Sequence, residues 1–284
     1  MMVSFDELKG ALERVTQIVS GWPNIVEVNA PCTVVADIHG DGDALWHIMR
    51  NARCEGNMVF MGDICDRGQY SVESLFMVLE AVRDGKAVYL RGNHEDKEMA
   101  MAYGLGEELK AKFGEDDGSS LILMVDALFS ALPLAAVCEG WFIVHGGISY
   151  FSDLYEVSSR TRFISRPADD AQIEALLWSD PGETDAFNEE RGAGYTFTAD
   201  ALRGFLDRHG LIGMIRGHQV YMKGYAVVFE DPPCICISSS FVVAADEFAA
   251  ILEIDREGTP TVVQMTRNDD DTVGFTPLTV DDQT

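Results

Sequence analysis

The stretch that decides the fold covers residues 58–95. It reads Met58-Val-Phe-Met-Gly-Asp-Ile-Cys-Asp-Arg-Gly68, passes through a helical segment, and closes with Ala87-Val-Tyr-Leu-Arg-Gly-Asn-His-Glu95. Two apolar runs of strand length, about thirty residues apart, each stop at polar side chains, and this is the length of a βαβ unit. Parallel strands open their carboxyl ends onto one crevice, where such folds bind ligands. We therefore expect the polar side chains of both runs to converge.

The same pattern occurs at three further places in the chain. Asp37 with His39, then His145, and then His218 each follow another apolar run. A single polar residue after a strand is an ordinary cap, but five such ends in one chain favour a metal site over five unrelated caps. Four of the six histidines fall at these ends.

The ligand types indicate which metal and which chemistry to expect. Imidazole, carboxylate and amide groups without a thiolate favour Mn²⁺, Fe or Zn²⁺ over a structural zinc. Two such ions about 3.5–4 Å apart would clamp a phosphoryl group and activate a water molecule. Arg67 and Arg191 could hold the phosphate oxygens in bidentate fashion.

The overall charge limits the possible partners. The chain has 284 residues, with 21 Lys and Arg against 47 Asp and Glu, a net charge of −26. This balance argues against nucleic acid and against anionic membranes, both of which need basic patches. A phosphorylated substrate must therefore be attracted by local positive charge.

The cysteines and the start of the chain suggest a cytoplasmic protein. The six cysteines show no CxxC spacing, so we expect them to be reduced, as in an intracellular protein. The first residues lack the basic and apolar regions of a signal peptide, and no apolar run is long enough to span a membrane.

The periodicity of the chain predicts an alternation of helices and strands. A helix over 4–19 begins with a capping box formed by Ser4 and Glu7. We expect an acidic turn at 114–118, a helix over 121–130 and a disordered acidic tail over 268–284. No repeat or linker is visible, which favours one domain.

Here the motifs resemble a known family. The superfamily of calcineurin-like metallophosphatases is indicated by Asp37-Ile-His-Gly40, Gly62-Asp-Ile-Cys-Asp-Arg-Gly68, Arg91-Gly-Asn-His-Glu95 and His145-Gly-Gly-Ile-Ser149. Its phosphoprotein phosphatase family, specific for serine and threonine, is indicated by Leu176-Leu-Trp-Ser-Asp-Pro181, Arg191-Gly-Ala-Gly-Tyr-Thr-Phe197 and Gly217-His-Gln219.

The resemblance implies a fold, a reaction and a set of residue roles. It implies an α/β fold with a central β-sandwich of two mixed sheets flanked by helices, and a catalytic domain over 31–267 after an N-terminal helix and lead-in over 1–30. The reaction is hydrolysis of phosphoserine and phosphothreonine in proteins with two divalent metal ions, Mn²⁺ being the expected choice in vitro; regulatory subunits are a further possibility. The implied metal ligands are Asp37, His39, Asp63, Asn93, His145 and His218. His94, oriented by Asp66, is the implied general acid, and the implied phosphate-binding residues are Arg67, Arg191, Asn93 and His94.

Two departures from the family pattern affect these expectations. Ala36 stands where the family has glycine before the aspartate. Ser238-Ser-Ser-Phe-Val-Val-Ala244 replaces a stretch that carries a tyrosine overhanging the site, so we expect Phe241 and its neighbours to make the mouth more apolar, unless Tyr195 fills the gap.

Two other functions compete with this interpretation. One is a hydrolase of dinucleoside tetraphosphates or a broader phosphatase that also accepts phosphotyrosine. The other is a non-catalytic binding protein that retains the fold, although every implied catalytic position is filled.

Overall fold

The computed structural model describes residues 2–51, 56–243, 247–268 and 272–278. Its α-helices, in chain order, are α1 (Phe5–Ser20), α2 (Gly42–Arg50), α3 (Ser71–Arg83), α4 (Lys97–Tyr103), α5 (Leu105–Phe113), α6 (Glu115–Ala131), α7 (Leu154–Ser159), α8 (Ala171–Trp178) and α9 (Ala199–His209). A short 3-10 helix covers Pro167–Asp169. Within these ranges, no helix combines the length and apolar character that crossing a bilayer requires.

The strands, also in chain order, are β1 (Ile25–Glu27), β2 (Cys32–Val35), β3 (Asn57–Phe60), β4 (Ala87–Tyr89), β5 (Ala135–Cys138), β6 (Trp141–Val144), β7 (Asp180–Pro181), β8 (Ala186–Phe187), β9 (Tyr195–Phe197), β10 (Gly213–Arg216), β11 (Tyr225–Phe229), β12 (Cys234–Ile237), β13 (Phe248–Ile254), β14 (Pro260–Arg267) and β15 (Val273–Pro277).

Two six-stranded sheets form the centre of the protein. The first has the order β1-β5-β6-β10-β12-β11 and the second the order β15-β14-β13-β2-β3-β4. In the first sheet β6, β10 and β12 are parallel neighbours, and in the second β2, β3 and β4 are. β1 and β5 are also parallel, and the remaining pairs of both sheets are antiparallel, so the predicted mixed pairing is confirmed. A small third sheet has the order β7-β9-β8.

Alternating side chains of the strands produce three apolar layers. Val34 and Val59 from the second sheet pack with Ile143 and Ile215 from the first, which fills the space between the sheets. The residues next to them point outward. On one outer face they pack with residues of α1 to α6, and on the other with residues of α7 to α9. This is a β-sandwich flanked by helices, as the resemblance to the metallophosphatases implies.

The predicted N-terminal helix is confirmed together with its cap. The Ser4 hydroxyl accepts from the Glu7 amide at 3.3 Å, and the Glu7 carboxylate accepts from the Ser4 amide at 2.9 Å. Leu8, Leu12 and Val15 are fully buried, because they lie on the face that packs on α3 and α6.

Two predictions about the acidic segments are wrong. Residues 115–118 are the first turn of α6 rather than a turn between helices, and their carboxylates suit the positive end of the helix dipole. The predicted disordered tail contains β15, which pairs with β14 from Arg267 opposite Val273 to Val263 opposite Pro277. The aspartates at 269–271 and 281–282 lie outside the described residues.

Candidate metal and phosphate site

The five strand ends singled out in the sequence meet at one place. Loops after β2, β3 and β4, which are adjacent in the second sheet, carry the polar groups of residues 37–39, 63–67 and 93–94. His145 and His218 follow β6 and β10, which are adjacent in the first sheet. The carboxyl ends of parallel strands in both sheets therefore bound a single crevice, as expected.

The backbone is strained where these loops turn. Among the described residues, seven non-glycine residues have positive φ. Six of them are the predicted site residues Asp37, His39, Asp63, Asp66, Arg67 and His218. Such conformations cost free energy and persist only where the surroundings enforce them, which is characteristic of functional sites.

A first group of ligand atoms is formed by Asp37, His39 and Asp63, all buried. His39 Nε2 lies 3.4 Å from Asp63 Oδ2 and 4.0 Å from Asp37 Oδ1. The other ring nitrogen of His39, Nδ1, lies 3.1 Å from the carbonyl oxygen of Cys65, so it carries the proton. The lone pair of Nε2 consequently faces the carboxylates, as a metal ligand must.

A second group is formed by Asn93, His145 and His218. The Asn93 Oδ1 atom lies 2.8 Å from His145 Nε2 and 3.0 Å from His218 Nδ1, and these two nitrogens are 3.2 Å apart. His145 Nδ1 donates to the carbonyl of Met61 at 3.0 Å, so its Nε2 presents a lone pair. The Asn93 amide oxygen and the His145 Nε2 lone pair are both acceptors, so their close approach is unfavourable on its own. A cation that binds both atoms makes the arrangement favourable.

Asp63 connects the two groups. Its Oδ2 atom faces His39, and its Oδ1 atom lies 3.5 Å from His145 Nε2. Among the described residues, two sets of three side chains meet the distance requirement for a common ion, Asp37-Asp63-His145 and His39-Asp63-His94. They combine the side chains differently from the two groups above, but both contain Asp63. The residues present therefore fit a pair of metal ions that share Asp63.

Electrostatics supports the same assignment. Burial raises the pKa of Asp37 to about 7, and burial followed by the charges of Glu95 and Asp37 raises the pKa of Asp63 well above its usual range. Burial also lowers the pKa values of His39 and His145 well below the ordinary value. The site thus combines neutral imidazoles with carboxyl groups whose ionisation is unfavourable in the buried environment. Bound cations stabilise both the neutral imidazole and the ionised carboxylate.

His94 and Asp66 form a separate pair beside the ligands. His94 Nδ1 lies 2.8 Å from Asp66 Oδ2, and the amide of Leu105 donates to Asp66 Oδ1 at 3.1 Å. His94 Nε2 lies 3.4 Å from an Arg67 guanidinium nitrogen. Burial lowers the pKa of His94 to about 3, with a further contribution from the charge of Arg67, whereas burial raises that of Asp66 to about 7.

The two predicted phosphate arginines are held in different ways. Arg67 lies against His94, and its guanidinium is stacked 5.5 Å from the ring centre of Tyr103. Arg191 pairs with Asp180, with Nε 2.7 Å from Oδ2, and burial, followed by the charges of His145 and Arg191, lowers the pKa of His218 well below its usual range. The structure therefore places Arg67 among the other site residues and Arg191 on the His218 side.

Sequence reasoning assigned no role to two buried charged residues that support the site. Glu95 accepts from the amides of Asp63 at 2.7 Å, Ile64 at 3.1 Å and Gly92 at 2.8 Å, so one carboxylate joins the loops after β3 and β4. Arg216 is fully buried and pairs with Asp180 at 2.9 Å. Glu95 stands inside a quoted motif and Arg216 directly before one, and a charge at a strand end is the signal that could have identified them.

The expectation for residues 239–243 is partly wrong. Phe241 is 6% exposed and packs in the core beside the helices, with the Arg267 guanidinium 4.9 Å from its ring centre, so it does not line the mouth. Val242 is exposed. Tyr195 belongs to an aromatic cluster with Tyr150, Phe151 and Phe187.

Comparisons with known proteins identify the family of this chain. The sequence profile of the family described as calcineurin-like phosphoesterase matches residues 30–222. The chain is 32% identical over 268 residues to the Saccharomyces cerevisiae serine/threonine-protein phosphatase PP1-1, covering 90% of this chain and 84% of that protein.

Solved structures share the fold. A serine/threonine phosphatase from Saccharomyces cerevisiae with similarity to human phosphatase PP5 superposes with a TM-score of 0.80 at 22% identity, covering 97% of this chain and 90% of that one. A cold-active protein-tyrosine phosphatase from a psychrophilic Shewanella gives a TM-score of 0.60 at 18% identity, covering 91% and 84%. The chain belongs to the calcineurin-like phosphoesterases and, within them, to the serine/threonine-specific phosphoprotein phosphatase family.

Proposed function

We propose that this protein is a metal-dependent phosphatase that hydrolyses phosphoserine and phosphothreonine monoesters in proteins. The observation that carries the proposal is Asp63, whose two carboxylate oxygens face His39 and His145, with His94 and Arg67 beside it. The similarity to a named serine/threonine-protein phosphatase over most of both chains supports the same substrate class.

The ligand groups define how the ions would be held. Asp37, His39 and Asp63 would bind one, and Asp63 with Asn93, His145 and His218 the other. When bound, such a pair supplies Lewis-acid stabilisation of the phosphoryl group and a nucleophile at neutral pH. Because the ligands are imidazole, carboxylate and amide, we infer Mn²⁺, Fe or Zn²⁺, with Mn²⁺ the first choice for assays.

The remaining residues bind the phosphate and move a proton. Arg67 and Arg191 would hold phosphate oxygens, together with Asn93 and His94. Asp66 holds Nδ1 of His94, so the proton that reaches the leaving alkoxide would come from Nε2. A phosphate beside this ring favours the imidazolium, which offsets the lowering of its pKa by burial and by Arg67.

We also infer that the protein works in the cytoplasm. Cys32, Cys65, Cys138, Cys234 and Cys236 are all free and buried, which suits a reducing compartment. The sixth cysteine, Cys54, lies outside the described residues.

The proposal is tested by measuring phosphate release from phosphoserine, phosphothreonine and phosphotyrosine peptides with Mn²⁺, before and after chelation. We expect turnover of the first two peptides that is lost on chelation and restored by Mn²⁺. Asp63→Asn should lose most activity, because the shared negative charge is removed. Asp153→Asn, which alters a helix cap on α7, is the matched control. Undiminished turnover by chelated protein would overturn the metal requirement, and exclusive turnover of phosphotyrosine would overturn the substrate class.

A further inference from the structure

Residues 239–241, here named the brace segment, leave β12 and are joined to the loop that carries Asp37 and His39. The first attachment is at Ala36, one residue before Asp37. The Ser239 amide donates to the Ala36 carbonyl at 2.8 Å, and the Ala36 amide donates to the Ser239 hydroxyl at 3.1 Å. Both backbone polar groups of Ala36 are therefore held by one residue.

The second attachment is at Asp41, two residues after His39. The Phe241 amide donates to Asp41 Oδ2 at 2.9 Å, and the Ser240 hydroxyl lies 3.4 Å from the same oxygen. The other carboxylate oxygen, Oδ1, accepts from the Ala44 amide at 3.0 Å and so caps α2. Asp41 is only 3% exposed, which makes each of these bonds costly to lose.

The loop between the two attachments needs such support. Asp37 has φ of 51° and His39 has φ of 47°, and these conformations are unfavourable for residues other than glycine. The Ser239 hydroxyl donates to the carbonyl of Ala250 at 2.7 Å, which ties the brace segment to β13. Ser239 is fully buried, so this linkage is shielded from water.

We propose that Ser239 and Asp41 are positioning residues that fix the loop 37–40 and thereby set the affinity of the metal position formed by Asp37 and His39. The inference rests on the proposed function, because it presupposes that the site binds metal ions. Residues behind metal ligands typically change metal affinity by about 10–100-fold when substituted. The second position should respond less, because His145 is held by the Met61 carbonyl and the Asn93 loop by Glu95.

The test is calorimetric titration of metal-stripped protein with Mn²⁺. His39→Ala first identifies which of the two binding steps belongs to the position formed by Asp37 and His39. We expect Ser239→Ala and Asp41→Asn each to weaken that step by at least about 10-fold. Asp41→Asn retains a good helix-capping residue, so the test does not depend on the stability of Ser239→Ala alone. Asp153→Asn, the same change at the cap of α7, should leave both steps at the wild-type affinity.

The outcomes separate the two proposals. If wild-type protein binds no Mn²⁺, the proposed function itself fails. If wild-type protein binds two ions and both variants bind them with unchanged affinity, the positioning role of Ser239 and Asp41 is overturned. This holds whatever the change in melting temperature. Equal weakening of both steps would also overturn it, because this would indicate general loosening of the site.

Discussion

At the scale of single residues, the position of His94 permits two roles. Nδ1 faces Asp66, which orients the ring as a proton donor requires, while Nε2 is the nitrogen beside the Arg67 guanidinium. A nitrogen of the same ring also lies close enough to His39 and Asp63 for a common ion, which suits a ligand. Distance alone therefore does not separate a general acid from a metal ligand.

The dependence on the leaving group separates the two roles. His94→Ala should lower kcat on phosphoserine peptides by about 10²–10⁴-fold, the usual contribution of a general acid. The loss should be much smaller for p-nitrophenyl phosphate, because p-nitrophenolate leaves without a proton. Steady-state kinetics on both substrates is the measurement. An equal loss on both, with weaker Mn²⁺ binding, would instead assign His94 as a ligand.

At the scale of elements, the carboxyl ends of two helices are joined by one buried residue. Arg162 donates to the carbonyl of Ala131 at the end of α6 at 2.9 Å, and to those of Val19 and Trp22 at the end of α1 at 2.8 Å each. Its guanidinium also lies 2.6 Å from Asn24 Oδ1. The carbonyls lie at or just after the carboxyl ends of the two helices, and a positive charge suits the negative ends of both dipoles.

Removing this guanidinium should therefore destabilise the fold. Arg162→Met keeps the apolar stem but removes the donors to the Ala131 and Trp22 carbonyls and to Asn24 Oδ1, and each charged hydrogen bond is worth about 1.5–3 kcal/mol. We expect the free energy of unfolding to fall by at least about 2 kcal/mol in urea denaturation. Arg203→Met is the matched control, because Arg203 makes an exposed pair with Asp231 and exposed pairs contribute about 0–1 kcal/mol. Equal losses in both variants would refute a special role for Arg162.

These elements also show what the sequence could and could not predict. Polar residues after apolar runs predicted that Asp63, Asn93 and His145 converge, because each follows a strand and parallel strands open their carboxyl ends onto one crevice. Arg162 and the direction of Phe241 were not predictable, because each depends on residues far away in the chain. β15 at Val273–Pro277 was missed because the neighbouring aspartates favour a disordered tail and an edge strand requires little apolar character.

At the scale of the whole molecule, the protein carries a net charge of −26 and also places several carboxyl groups close together in its interior. Within the core, Asp37, Asp63 and Glu95 lie near one another, and the pKa of each is raised, chiefly by burial. Folding without a cation therefore favours protonated carboxyls, whereas metal binding requires ionised ones. The stability of the chain should consequently depend on pH and on metal together.

The sign of that dependence follows from linkage. In metal-free protein the pKa of Asp37 is raised to about 7, so between about pH 4 and pH 7 the folded state keeps a proton that the unfolded state has lost. The contribution of Asp37 and Asp63 to the free energy of unfolding of the metal-free form therefore decreases when the pH rises through this window. With Mn²⁺ bound, both carboxylates are ionised in the folded state and this loss disappears.

The stabilisation by Mn²⁺ should therefore grow with pH. The buried histidines His39 and His145 are neutral in both forms, so their effect on stability cancels in the comparison. Melting temperatures with saturating Mn²⁺ and with chelator should differ little near pH 5 and most near pH 8. Asp63→Asn should remove most of this pH dependence, because it removes the carboxyl that both ligand groups share. The same difference at both pH values in wild-type protein would show that the carboxylates are already ionised without metal, contrary to the effect of their burial.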